Sequence, residues 1–104
     1  MKTLPLITIA LLASTTSNAG LEKATISNMA YHIVCSDTMY DRSMWDEGTW
    51  HEDTGLGYMK RGQEKYGAGW SKQIQPTIND QRDKYRTSQD YFEMCLGDYE
   101  RASK

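Results

Sequence analysis

Ile26-Ser27-Asn28-Met29-Ala30-Tyr31-His32-Ile33-Val34-Cys35 is the stretch whose reading decides the fold. Its apolar residues fall at 26, 29/30 and 33/34, the three-to-four spacing of one helical face, and the pattern continues through Tyr40 to Met44. From Leu21 to Trp45 there is neither glycine nor proline, so one helix is expected over about 21–45. Asp37 interrupts the apolar stripe. Asp37 and Asp41, four residues apart with Arg42 beside them, read as a solvated face.

The other end of the chain repeats the pattern. Trp70, Ile74, Ile78, Tyr85, Phe92, Cys95/Leu96 and Tyr99 keep a helical spacing across the last third of the sequence. Pro76 must start this helix or kink it, and residues 79–84 read as its solvated side. Between the two ends, Thr49-Trp50-His51-Glu52 matches a capping box, which places the start of a middle helix at Thr49. That helix would carry Gly55, Gly57 and Gly62, each costing about 1 kcal/mol relative to alanine in a helix interior. Gly67-Ala68-Gly69 supplies its stop. No β-branched alternation suggests a strand.

Residues 1–19 read as a secretory leader. Met1-Lys2 gives a positive start, Leu4 to Ala13 an apolar run, and Ser17-Asn18-Ala19 a small-x-small cleavage pattern. The apolar run is about half the roughly 20 residues needed to span a bilayer, and Pro5 interrupts it, so no membrane span remains after cleavage. A periplasmic or secreted location follows, and in an oxidising compartment Cys35 and Cys95 should form a disulfide. Closing a loop of that length contributes roughly 4 kcal/mol in the chain-entropy picture. The domain needs such help: after the leader its only Leu, Ile, Val and Phe residues are Leu21, Ile26, Ile33, Val34, Leu56, Ile74, Ile78, Phe92 and Leu96. Tyrosine, tryptophan and methionine must supply the rest of the core. The expected architecture is all-α, a single domain over residues 20–104, built as a small bundle of about three helices with Cys35–Cys95 stapling the first to the last.

The 104 residues carry a formal charge of −2 and a pI near 5.6, which disfavours a nucleic-acid partner. Nucleotide, nucleophile-elbow and zinc-helix motifs are absent from the sequence. A metal site would have to draw on His51, Glu52 and Asp53, with His32 from the first helix. Consecutive residues diverge around a helix, so neither a metal nor another cofactor is expected. Paired carboxylates are unavoidable among 14 acids, but a chain this small can hardly build a glycosidase cleft, and the sequence reads as a non-enzyme.

The aromatic inventory is more telling: three Trp and seven Tyr against one Phe. Such residues anchor interfaces. Trp45, Trp50, Tyr58 and Tyr66, with Asp46 and Glu47, are therefore the candidate partner-binding residues. Compartment, size and acidity point to a protein partner, a basic periplasmic or secreted enzyme such as a cell-wall hydrolase. The expected role is that of an inhibitor or immunity-type protein. In size and two-cysteine helical build the chain is similar to small periplasmic immunity proteins and acid-stress chaperones as classes, without a motif specific to either. A holdase-type chaperone and a carbohydrate-binding module using Trp45, Trp50 or Trp70 as stacking platforms are the rival expectations.

Overall fold

The computed structural model describes residues 23–104. The leader read in residues 1–19, and Leu21 with it, lie outside the described residues. Those described form four α-helices and no strand: α1 (residues 23–41), α2 (Trp45–Tyr66), α3 (Ile74–Tyr85) and α4 (Gln89–Ala102), with a 3₁₀ segment, Ala68–Gln73, leading into α3.

Helix α1 is the central element because its apolar residues do not keep to one stripe. Ile26, Met29, Ala30, Val34, Cys35 and Met39 are all buried, and so are Ser36 and Thr38. Three helices cover it. Cys35 is bonded to Cys95 with the two Cα atoms 5.5 Å apart, which sets α4 against α1. Arg42 lies over the Phe92 ring and the Tyr31 hydroxyl donates to Asp98, so α4 runs antiparallel to α1. Helix α3 runs parallel to α1 at a constant offset. Arg82 Nε donates to Asp37 at 2.5 Å, and Arg86 donates to Asp41 at 2.9 and 3.0 Å. The residues expected to be a solvated acidic face are thus the ionic seam between two helices. Helix α2 returns antiparallel, with Gly48 facing Tyr40 and Gly55 facing Ile33.

Two apolar clusters fill this arrangement. Ile26, Met29 and Ala30 meet Trp70, Ile74 and Ile78 at one end. Val34, Cys35 and Met39 meet Tyr91 and Cys95 at the other, with Met44 and Phe92 against them. The sparse aliphatic set is therefore supplemented by Trp, Tyr and Met as the composition requires.

The first turn comes earlier than the sequence pattern suggests. Ser43 adopts φ 59°, the left-handed region, and closes α1 with Ser43 N–H donating to Tyr40 O and Met44 N–H to Met39 O. Those two bonds, with Met44 packed against the Met39 cluster, make a Schellman ending in which serine stands where glycine is usual. Helix α2 then begins at Trp45, and Thr49 lies inside it rather than capping it. The Thr49-x-x-Glu52 pattern loses because the Ser43 turn has already started the helix four residues upstream.

The glycines of α2 are not breaks. Gly48, Gly55 and Gly62 recur every seven residues on its buried face, and a Cβ at each would come within 3.0 Å of Tyr40, Ile33 and Trp70 respectively. Their helix cost is outweighed by close approach of neighbouring side chains. Gly67, at φ 86°, ends the helix as expected.

The long final helix is two helices. Pro76 sits in the first turn of α3, where its missing N–H has no intrahelical acceptor to lose. At residues 86–88 the chain reverses, and Ser88 caps α4 by accepting from Tyr91 N at 3.2 Å. The apolar spacing survives the reversal because both halves face the same helix, α1. This raises the bundle from about three helices to four.

Gly62→Ala is expected to destabilise the fold by about 1–3 kcal/mol, since the buried Trp70 ring must move. Gly57→Ala, whose added methyl meets only the end of Arg61, should raise the thermal midpoint by an amount worth up to about 1 kcal/mol. Calorimetry of both variants checks the pair. Alkylation of the native chain should find no reactive thiol, and reduction should lower stability by roughly 4 kcal/mol in denaturant titrations.

Candidate functional site

Helix α2 carries every residue singled out for partner binding, and its helical period sorts them. Asp46 and Asp53, one heptad apart, are exposed, and so are Trp45, Thr49 and Leu56 beside them. Trp45 is 61 % exposed and Leu56 47 %, large values for side chains of this kind. Glu47 and Glu52 are half-buried on the flanks. No lysine or arginine occurs between Arg42 and Lys60, and among the described residues none of these four carboxylates is in an ion pair. Elsewhere Asp37, Asp41, Asp80 and Asp98 are in ion pairs, whereas among the described residues Glu64, Asp83, Asp90, Glu93 and Glu100 are not.

Trp50, Tyr58 and Tyr66 sit differently. Each is half-buried, with one side used in packing. Trp50 stands edge-on to His51 at 4.6 Å and to Tyr99 at 5.8 Å. Tyr58 stacks on His32 at 5.7 Å and lies under Arg61. Tyr66 leans on the buried Trp70. Along the helix axis Trp45 and Tyr66 are separated by roughly 30 Å, so no single small patch holds both. The outward cluster is Trp45, Asp46, Thr49, Asp53 and Leu56, of which composition and motif singled out Trp45 and Asp46.

Directly beneath this part of α2 lies an arrangement that the sequence conceals. His32 of α1 and His51 of α2 are joined Nδ1 to Nδ1 at 2.9 Å, and His51 Nε2 lies 2.8 Å from the Cys95 carbonyl oxygen of α4. His51 is fully buried. A carbonyl only accepts, so His51 donates from Nε2, its Nδ1 is the acceptor, and His32 donates from Nδ1. Tyr31, Trp50 and Tyr58 ring the pair. Burial, and secondarily the charge of His51, pushes the His32 pKa down to about 4. His51 is lowered as well, mainly by burial, with the Cys95 carbonyl and Asp98 opposing. Burial raises the Tyr31 hydroxyl, helped by its hydrogen bond to Asp98, and burial likewise raises Tyr91.

Of the four residues considered for a metal, the structure brings together His32 and His51, leaves Asp53 on the outer side of α2 and sets Glu52 half-buried on its flank. Among the described residues no group of three or more His, Cys, Asp and Glu side chains is placed to hold a metal ion. No helix among them is long and apolar enough to cross a membrane. No family model, curated protein or solved structure matches this chain.

His51→Ala should cost about 2–4 kcal/mol, because it opens space in the core and strips partners from His32 and from the Cys95 carbonyl. Asp53→Ala should change stability by less than about 0.5 kcal/mol. Chemical denaturation of both variants tests whether the site splits into a structural inner half and a free outer half.

Proposed function

We propose that the chain is an exported inhibitor or immunity-type protein that docks the outer face of α2 into the cleft of a basic cell-wall hydrolase. The observation that carries this reading is the set of four carboxylates that, among the described residues, are in no ion pair, on the same helix segment as exposed Trp45 and Leu56. Acids left without cations attract a basic surface and steer encounter, while an exposed aromatic contributes affinity once water is excluded. A helix presented by a stapled bundle fits a groove with little ordering cost. The three-turn face from Trp45 to Leu56 spans about 16 Å, a length suited to an elongated glycan cleft. Occupying that cleft blocks substrate without any chemistry by the inhibitor itself.

The reading is tested by glycan hydrolysis assays with a panel of basic cell-wall hydrolases, lysozyme-type enzymes included. Inhibition of at least one is expected, weakening with salt. Trp45→Ala should raise the inhibition constant at least tenfold, and Asp46→Asn/Asp53→Asn should weaken it by about 10- to 100-fold at low ionic strength, with folding unchanged. Absence of inhibition across the panel, or variants as potent as the parent, would overturn the reading. Glycan binding without any enzyme would instead favour the carbohydrate-binding alternative. Suppression of aggregation for many denatured proteins would favour the chaperone.

A further inference from the structure

We propose that the His32–His51 hydrogen bond is an acid-sensitive latch: protonation of the two imidazoles releases α2 from α1 and α4 and so withdraws the docking face. Only the last clause rests on the docking reading; the release is a property of the fold.

The three helices around α1 are attached by different chemistry. Helix α4 is held by the disulfide and by the Tyr31–Asp98 hydrogen bond. Helix α3 is held by the Asp37–Arg82 and Asp41–Arg86 pairs. Among the described residues neither a covalent bond nor an ion pair joins α2 to another helix. The polar contacts seen between α2 and the other helices among the described residues include the Tyr40–Thr49 hydroxyl contact at 3.2 Å and the chain from His32 through His51 to the Cys95 carbonyl. The remainder is ring and glycine packing, which has no titratable part at acid pH.

That histidine chain accommodates a single proton between the two Nδ1 atoms. When both rings are cationic each nitrogen carries a hydrogen, so the Nδ1 atoms become two donors facing each other at 2.9 Å. Two like charges then sit with ring centroids 5.1 Å apart in a site walled by aromatic rings. The titratable and charged groups facing the pair are Tyr31 of α1, Tyr58 of α2, and Asp98 and Tyr99 of α4, the last through Trp50. Asp98 favours the cations, but it is already engaged by Tyr31 and Arg101, and burial of the rings outweighs it. Among the described residues no charged group of α3 acts on the pair.

The sign follows from where the protons bind. Both rings are lowered in the closed bundle, His32 to about 4, and return to the ordinary histidine value near 6.5 once exposed. The closed form is therefore fully favoured above about pH 6.5 and loses that advantage as pH falls towards 4. Each imidazole that gains a proton on release multiplies the open-to-closed ratio about tenfold per pH unit, hence about 100-fold for two. The covalent attachment and the Asp41–Arg86 pair hold in this window. The disulfide does not titrate, and Arg86 keeps Asp41 below its usual range, so α3 stays in place.

The test uses the full, oxidised chain without any partner. Hydrogen exchange read by mass spectrometry should show α2 amides losing protection between about pH 6.5 and 4 while α1 and α4 remain protected. NMR titration of the imidazole ring protons should count close to two protons taken up by the histidines in that transition. His32→Asn keeps an N–H at the position facing His51 Nδ1 but cannot titrate, so the count should fall to one and the midpoint should move to lower pH. Protection of α2 that persists below pH 4, or release without proton uptake, overturns the latch. So does a transition that His32→Asn leaves unchanged. Should that variant fail to fold, the proton count of the parent chain decides alone. Hydrolase inhibition is measured separately: its absence at pH 7 with the release intact removes only the docking reading, and inhibition undiminished where α2 has lost protection removes the withdrawal.

Discussion

The bond between Cys35 and Cys95 fixes α1 against α4, and the remaining helices are placed relative to that pair. A chain with so few aliphatic residues cannot rely on core volume alone. It compensates by making α1 a shared wall, buried on several sides, so that each apolar residue on it serves more than one neighbour. The two clusters at either end of α1 are joined through that helix. Cross-linking raises the cost of disorder in the unfolded chain and leaves the folded bundle free to use large, awkward side chains. Trp70, Met29 and Met39 are the largest of those fully enclosed.

Attachment by unlike forces gives each helix its own sensitivity. The covalent tie of α4 answers to redox conditions, and the ionic seam of α3 to salt and strong acid. The ring-and-imidazole contact of α2 answers to mild acid. Helix α2 also carries an exposed tryptophan among carboxylates that, among the described residues, are in no ion pair. The face proposed to meet a partner therefore belongs to the helix held most conditionally. Functional loops and lids are commonly drawn from the less stable end of a fold, and here a whole helix occupies that place.

Some of the site was legible in the chain and some was hidden by one misplaced turn. Trp45 and Asp46 stand outward as an aromatic and acidic inventory suggests. The inner rings of Trp50, Tyr58 and Tyr66 are spent partly on packing, which composition cannot separate from display. Both histidines were visible as the chain's only imidazoles, but with a helix running to Trp45 they do not meet. A reversal at residues 42–44 brings them opposite each other, and that reversal rests on Ser43 in a left-handed conformation that serine rarely adopts. Glycines every seven residues, which read as weakness in an isolated helix, become contact positions once Tyr40, Ile33 and Trp70 lie against them.

What the sequence determined by itself is helical class, the pairing of the cysteines and the end of α2, because these depend on local period, on there being two thiols and on a glycine stop. The tertiary structure alone decided that three helices surround α1, that Asp37 and Asp41 are bound to arginines forty-five residues away, and that His32 and His51 share a hydrogen bond. Those facts depend on which helix faces which, and that is fixed by turns and interhelical offsets rather than by the period of any one segment.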